Sequence, residues 1–135
     1  MNATGLYVVG HVFPIVAALL PQMASREAFA LLAAIALQES KFRARRQYGN
    51  GPARGFWQFE LGGVEAVLEH LASRDAARGV CDVLGYPADE RAIHLALEHS
   101  DVLAACFARL LLWTDPRALP GPERGPDAWL QYLAC

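Results

Sequence analysis

The sequence predicts an all-α protein consisting of one compact helical domain over residues 1–135. Alanine and leucine, which favour helices, dominate the composition, and β-branched residues are fewer. Apolar residues recur at helical spacing between capping and helix-breaking residues, and the longest alternating, strand-like pattern is FWQFE. A hydrophobic fraction of 54% excludes a disordered chain, and no segment has the composition of a domain linker.

Two helices are predicted in the N-terminal third. The first covers about residues 5–20, with a kink or restart at Pro14, and Pro21 ends it. Ser25 is a good N-cap for the second, and Glu27 lies in the first turn, where the helix dipole favours an acid. This second helix, REAFALLAAIALQES, is apolar on nearly all sides. We therefore expect it to be central and buried.

The rest of the chain reads as a loop followed by five more helices. The loop is RRQYGNGPARG, which is rich in glycine and arginine. Helices are expected at about 63–72, 73–84 and 87–98, and Ser100 is expected to cap a fourth, SDVLAACFARLLLW. A connection rich in proline and glycine, DPRALPGPERGPD, then precedes a final helix that begins at DAWLQYLAC.

The first 25 residues contain no charged side chain, so a signal peptide or membrane anchor has to be weighed. A signal peptide needs a positive N-terminal region and a small-residue cleavage site, and both signals are poor here. A spanning helix needs about 20 apolar residues, and this run is shorter and interrupted by His11 and Pro14. We favour a core helix without stable membrane insertion. The side chains expected inside are Val12, Ile15, Val16 and Leu19.

Charge is unevenly distributed along the chain, although the net charge is only −2. Residues 26–54 carry six cations and two acids, whereas residues 55–135 carry six cations and twelve acids. The negative total argues against nucleic acid as a partner. A basic belt surrounds the loop and comprises Lys41, Arg43, Arg45, Arg46 and Arg54. It either attracts an anionic polymer or pairs with acids of the C-terminal half.

Glu39 is the candidate catalytic residue. It follows the run AFALLAAIALQ, so its carboxyl is expected at the edge of the hydrophobic interior. Desolvation there would favour the protonated form, which a general acid needs. The alternative is a solvated glutamate at a helix end, paired with Lys41 or Arg43.

A second candidate element is the turn GPARGFWQFE. Phe56 and Trp57 offer flat faces that suit sugar rings, and the Gln58 amide can both donate to and accept from sugar hydroxyls. Gly51 and Gly55 allow a tight turn and a close approach of the backbone to a ligand. The alternative is that the aromatic rings belong to the core.

Together, ALQESKF and GPARGFWQF resemble the signature of the soluble lytic transglycosylases and goose-type lysozymes, and also small phage-encoded lysozyme-like proteins. In that family a helix ends in a catalytic Glu followed by Ser, and a Gly-Leu-Met-Gln-like turn follows some fifteen residues later. The third family element has only a loose counterpart in Asp101-Val102. The fourth, Tyr-Asn-Ala-Gly, is matched at Tyr132 and Ala134 only.

The resemblance implies a lysozyme-like domain that cleaves the glycan strands of peptidoglycan. Glu39 would protonate the glycosidic oxygen between N-acetylmuramic acid and N-acetylglucosamine and would then act as a base. Ser40 and Gln58 would orient the carboxyl or the substrate, and Tyr132 would form a hydrogen bond near Glu39. The resemblance also implies a monomer without cofactors. It would occur in a phage virion or in host cytoplasm and act on the cell wall.

The spacing of acids bears on the reaction type. Hydrolytic glycosidases use two carboxyl groups about 5–9.5 Å apart, yet no acid lies between Glu39 and Glu60. This favours transglycosylation, in which the muramic acid C6 hydroxyl is the nucleophile. If water attacks instead, Glu60 is the candidate second carboxylate. The other function class is a catalytically inactive lysozyme-fold protein of a virion or a glycan-binding module.

Cysteine and histidine spacing predicts no metal site. Three cysteines, Cys81, Cys106 and Cys135, lack the spacing of a zinc knuckle and cannot all pair, so free thiols are expected. Glu90 and His94 share a helical face, but no second histidine follows at a ligating interval.

Overall fold

The structure, a computed structural model, describes residues 1–115 and confirms the all-α prediction for them. Seven α-helices occur there: α1 (Ala3–Tyr7), α2 (Phe13–Leu19), α3 (Arg26–Glu39), α4 (Leu61–Glu69), α5 (Arg74–Leu84), α6 (Glu90–Ala96) and α7 (Asp101–Trp113). Short 3-10 turns lie at Pro21–Met23 and Tyr48–Asn50. The connection and final helix predicted after residue 115, with Tyr132 and Cys135, lie outside the described residues.

The N-terminal helix is interrupted before Pro14 rather than kinked at it. A π-helical segment, Val8–Val12, joins α1 to α2, and Pro14 occupies the first turn of α2. Proline has no N–H to donate, so the regular hydrogen-bond ladder cannot pass through it, and the wider π turn absorbs the break.

Polar caps start the longer helices where the sequence predicts them. The Ser25 hydroxyl accepts a hydrogen bond from the Ala28 N–H, and the Ser100 hydroxyl accepts one from the Leu103 N–H. Each satisfies one of the N–H groups that a helix start leaves without a partner. The C-terminal end of α5 is closed by Gly85 in the left-handed conformation, at φ 83°.

The central helix is α7, which corrects the expectation that α3 would be central. Every residue from Leu103 to Leu110 is buried, and α7 packs against α2, α3, α4 and α5. Helix α3 buries one side only, and its Leu37 is exposed. An all-apolar sequence thus does not by itself identify the central helix, because small alanines are tolerated at partly exposed positions.

The N-terminal segment is largely a core element, as predicted. Val12 and Val16 are buried and Leu19 packs partly buried against the core, but Ile15 is 47% exposed, so its predicted burial is wrong. Within residues 1–115, no helix has the length and apolarity needed to cross a bilayer.

Cys81 and Cys106 are buried free thiols in the core between α5 and α7. Burial raises the pKa of Cys106 to about 12, and burial also raises the pKa of Cys81. Burial therefore disfavours the reactive thiolate form of both cysteines. Across residues 1–115, no group of three His, Cys, Asp or Glu side chains is arranged to hold a metal ion.

Candidate active site

The two sequence elements that carry the resemblance meet at one cavity of about 370 Å³. This cavity, called here the Glu39 cavity, is lined by Glu39, Ser40, Ala44, Arg46, Gln47, Tyr48 and Gln58. It is open to solvent, since Glu39 and Tyr48 are both exposed. Its volume lies within the range of about 300–1,000 Å³ that is usual for small-molecule sites.

Glu39 lies at the last position of α3, with its side chain in solvent. Its carboxylate makes no hydrogen bond or ion pair with any residue between 1 and 115. The alternative interpretation is thus right about the solvated position of Glu39 and wrong about its pairing with Lys41 or Arg43. The expected position against apolar surface is also wrong, because the helix end projects beyond the core. Glu39 is the one acidic side chain among the described residues that line the cavity.

Ser40 shapes the turn that follows Glu39. Its hydroxyl donates to the Ala36 carbonyl at 3.1 Å and accepts from the Phe42 N–H at 3.3 Å. The Asn2 side chain caps α1 through the Gly5 N–H and donates to the Lys41 carbonyl at 3.1 Å. The two Ser40 hydrogen bonds and the bond from Asn2 to Lys41 all fix the turn that follows Glu39. Ser40 therefore acts on the position of Glu39 through the backbone.

An aromatic cluster holds the two elements together. Phe42 leaves the Glu39 turn and packs edge-on against Phe56, at 5.5 Å between ring centroids, and against Trp57, at 6.4 Å. Phe13 of α2 also contacts Trp57, at 6.4 Å between ring centroids. The cluster explains why two turns separated along the chain share one cavity.

Phe56 and Trp57 are core residues, which corrects their assignment as sugar-binding rings. Phe56 is 1% exposed and Trp57 is 6% exposed. The Trp57 indole N–H donates to the Leu32 carbonyl of α3 at 2.9 Å, so its polar edge is already satisfied. Neither ring presents a face on which a sugar could stack.

Gly55 is also required by the protein rather than by a ligand. It is buried with φ 76°, and a Cβ there would lie 3.1 Å from the Leu97 carbonyl oxygen and 3.2 Å from the Ala104 Cβ. A side chain at this position would therefore push the turn away from the start of α7. Gly51, by contrast, lies against the Gln47 side chain.

Gln58 lines the cavity. It has φ 53°, and its amide nitrogen donates to the Gly55 carbonyl at 2.8 Å, which closes the turn. Glu60 is exposed at the start of α4 and is absent from the described lining of the cavity. The structure therefore brings Glu39, Ser40 and Gln58 together and leaves Glu60 outside.

The basic belt divides into paired and unpaired members. Arg45 donates two hydrogen bonds to the Asp101 carboxylate, at 2.9 and 3.0 Å, and its guanidinium lies over the Phe56 ring. The hydrogen bonding to Asp101 raises the pKa of Arg45. Arg54 pairs with Glu98 at 3.2 Å. Both pairs tie the loop to the C-terminal half, as one of the two interpretations predicted. Within residues 1–115, Lys41, Arg43 and Arg46 have no acidic partner.

Tyr48 is a candidate site residue that the sequence analysis missed. It is 81% exposed and lines the cavity, so its ring is accessible to a ligand. An aromatic side chain between Gln47 and Gly49 in a polar loop has no apolar neighbours along the chain, and that pattern was the available signal.

Comparison with known proteins adds no identity: no family model matches the chain, and no curated protein or solved structure does either.

Proposed function

We propose that this protein is a lytic transglycosylase that cleaves the N-acetylmuramic acid–N-acetylglucosamine bond of peptidoglycan. The observation that carries the proposal is the convergence of Glu39, Ser40 and Gln58 on one open cavity in which no other described residue is acidic. These residues come from the two turns whose sequences resemble the family.

Glu39 acts as both acid and base in the proposed reaction. Its carboxylic acid gives a proton to the glycosidic oxygen as that oxygen leaves the muramic acid C1. The resulting carboxylate then takes the proton of the muramic acid C6 hydroxyl, whose oxygen bonds to C1 and closes a 1,6-anhydro ring. A single carboxyl suffices for both steps.

Backbone conformation supports a functional role for the cavity. Within residues 1–115, three non-glycine residues have positive φ: Lys41 at 56°, Phe42 at 54° and Gln58 at 53°. All three lie in the two turns that border the cavity. Left-handed conformations at such residues cost about 1–3 kcal/mol each and concentrate at functional sites.

Tyr48 supplies the exposed ring that Trp57 does not. We expect Tyr48→Ala to weaken the binding of a chitooligosaccharide by about three- to tenfold, because a stacked aromatic contributes on the order of 1 kcal/mol. Tyr48→Phe, which keeps the ring, serves as the matched control and should bind as well as the unchanged protein. Titration calorimetry measures both, and equal affinity of the alanine variant would contradict a sugar-stacking role.

A second function class has one observation in its favour. The Glu39 side chain is exposed, and no residue between 1 and 115 holds it by a hydrogen bond or ion pair in one orientation, which suits a glycan-binding protein without catalysis. Such a protein would bind glycan strands through the same cavity and release no products.

Digestion of purified peptidoglycan in heavy-oxygen water separates these possibilities. We expect products that end in anhydromuramic acid and carry no solvent oxygen, because the C6 oxygen closes the ring. Mass spectrometry of the released fragments is the measurement. Labelled reducing ends would mean that water attacked, and Glu60→Gln would then be the first variant to assay. A complete lack of products would favour the glycan-binding class.

A further inference from the structure

Arg46 differs from the other arginines of the belt in its surroundings. Its Nε atom is buried without a hydrogen-bond partner, and within residues 1–115 its guanidinium makes no ion pair. It also lines the Glu39 cavity. Arg54 has a similarly unpartnered Nε, but its guanidinium pairs with Glu98 and it is not among the described lining residues.

A buried donor without a partner is costly, and native proteins rarely leave one unless a water, an ion or a ligand completes the site. Arg46, unlike Arg54, also has a guanidinium without an acidic partner among residues 1–115, and it lines the cavity. A guanidinium presents a planar fork of N–H donors that matches a carboxylate. The backbone around Arg46 is fixed by two interactions. Arg46 forms an isolated antiparallel β-bridge with Arg54, and the N–H of the adjacent Gln47 donates a hydrogen bond to the Ala53 carbonyl. The backbone of Arg46 is therefore held in place beside the cavity that its side chain lines.

We infer that the Glu39 cavity binds a carboxylate of an acidic amino-sugar strand through Arg46. A singly charged carboxylate fits better than a phosphate, because the Glu39 carboxylate shares the cavity and repels a doubly charged group more strongly. Peptidoglycan offers this group in two places: the lactyl carboxylate of a muramic acid without its peptide, and the carboxylates of the peptide stem. The inference depends on the proposed function only for the identity of the ligand as an amino-sugar strand. The carboxylate site itself is argued from Arg46.

The test measures binding in a Glu39→Gln background, in which no ligand is cleaved. Three probes of equal sugar length are compared by calorimetry: a neutral chitooligosaccharide, a peptide-free glycan-strand fragment and a peptide-bearing one. We expect one acidic probe to bind at least about tenfold tighter than the neutral one, and Arg46→Gln to remove that preference while neutral-probe binding changes little. The acidic probe that shows the preference identifies which carboxylate is bound.

Arg43→Gln is the matched control, because Arg43 is an exposed and unpaired cation of the same loop outside the described cavity lining. It should change affinity for the acidic probe by no more than about twofold, as expected for a screened surface charge. Arg46→Lys keeps the charge but loses the fork, and it should retain part of the preference.

Several results would overturn the inference: equal effects of Arg46→Gln and Arg43→Gln, equal weakening of neutral and acidic probes, or no preference in the parent protein. In the protein with Glu39 intact, stronger competition by inorganic phosphate than by acetate would also overturn it. Failure here is distinguishable from failure of the proposed function. If Arg46→Gln cleaves peptidoglycan with an unchanged KM, the carboxylate site is wrong and the proposed function stands. If the preference for an acidic probe depends on Arg46 but the unmutated protein cleaves no peptidoglycan, the catalytic proposal is wrong and the carboxylate site stands.

Discussion

Replacing Glu39 by glutamine is expected to lower peptidoglycan turnover by at least about 100-fold, since general acid–base catalysis contributes about 10²–10⁴-fold and glutamine cannot give up a proton. The fold should be unaffected. The Glu39 side chain is exposed and bonds to no residue in the described part of the chain, so its loss should change the free energy of unfolding by less than about 0.5 kcal/mol. Release of soluble muropeptides, together with thermal unfolding of the same sample, measures both quantities.

Glu69→Gln provides the control for the loss of one carboxylate. Glu69 is exposed at the end of α4 and is not among the described lining residues of the Glu39 cavity. Its variant should keep full turnover. If Glu39→Gln retains more than a few per cent of the unmutated rate, Glu39 is not the general acid.

Replacing Trp57 by alanine is expected to destabilise the protein by about 3–5 kcal/mol, the usual cost of deleting a large buried ring. The ring is 6% exposed, contacts Phe13, Phe42 and Phe56, and donates to the Leu32 carbonyl. Its removal leaves a void at the joint between the two turns. Because the same packing positions Glu39 and Gln58, turnover should fall with stability. Denaturant unfolding followed by circular dichroism gives the free-energy change.

Trp57→Phe is the matched variant, because it keeps an aromatic ring but removes the indole N–H. A smaller loss, about 1–3 kcal/mol, is expected from the lost hydrogen bond and the reduced volume. A stable Trp57→Ala protein with a specific loss of glycan binding would instead restore Trp57 as a sugar-binding residue.

Local features of the fold are predictable because their causes lie within a few residues. The caps at Ser25 and Ser100 form as the sequence predicts, since a hydroxyl needs only the N–H three residues ahead. The boundaries of α5 and α7 follow from such signals to within about two residues. The role of Pro14 was predictable as an interruption, but the form it takes, a π turn ahead of the proline, was not.

The candidate site was predictable only in part. Glu39, Ser40 and Gln58 were identified from the sequence, and the structure brings them to one cavity. Phe56 and Trp57 were misassigned because an aromatic ring suits a core and a sugar site equally well in sequence. Tyr48 was missed although its polar neighbours along the chain were a signal. The position of Arg46 could not be predicted, because a missing partner is a property of the folded chain.

The sequence by itself determined the helical class, the helix starts after Ser25 and Ser100, and the two turns that carry the candidate chemistry. These depend on local hydrogen bonding and on the spacing of apolar residues, both of which are written along the chain. Only the tertiary structure decided that α7 rather than α3 is the central helix. It also decided that packing among Phe42, Phe56 and Trp57 joins the two turns. Finally, it decided that Arg45 and Arg54 form ion pairs while Arg46 forms none within residues 1–115. Each of these outcomes depends on contacts between residues that are far apart in the sequence. Two arginines, or two apolar helices, are equivalent candidates for such a contact in the sequence, and only the packing of the folded chain determines which of them forms it.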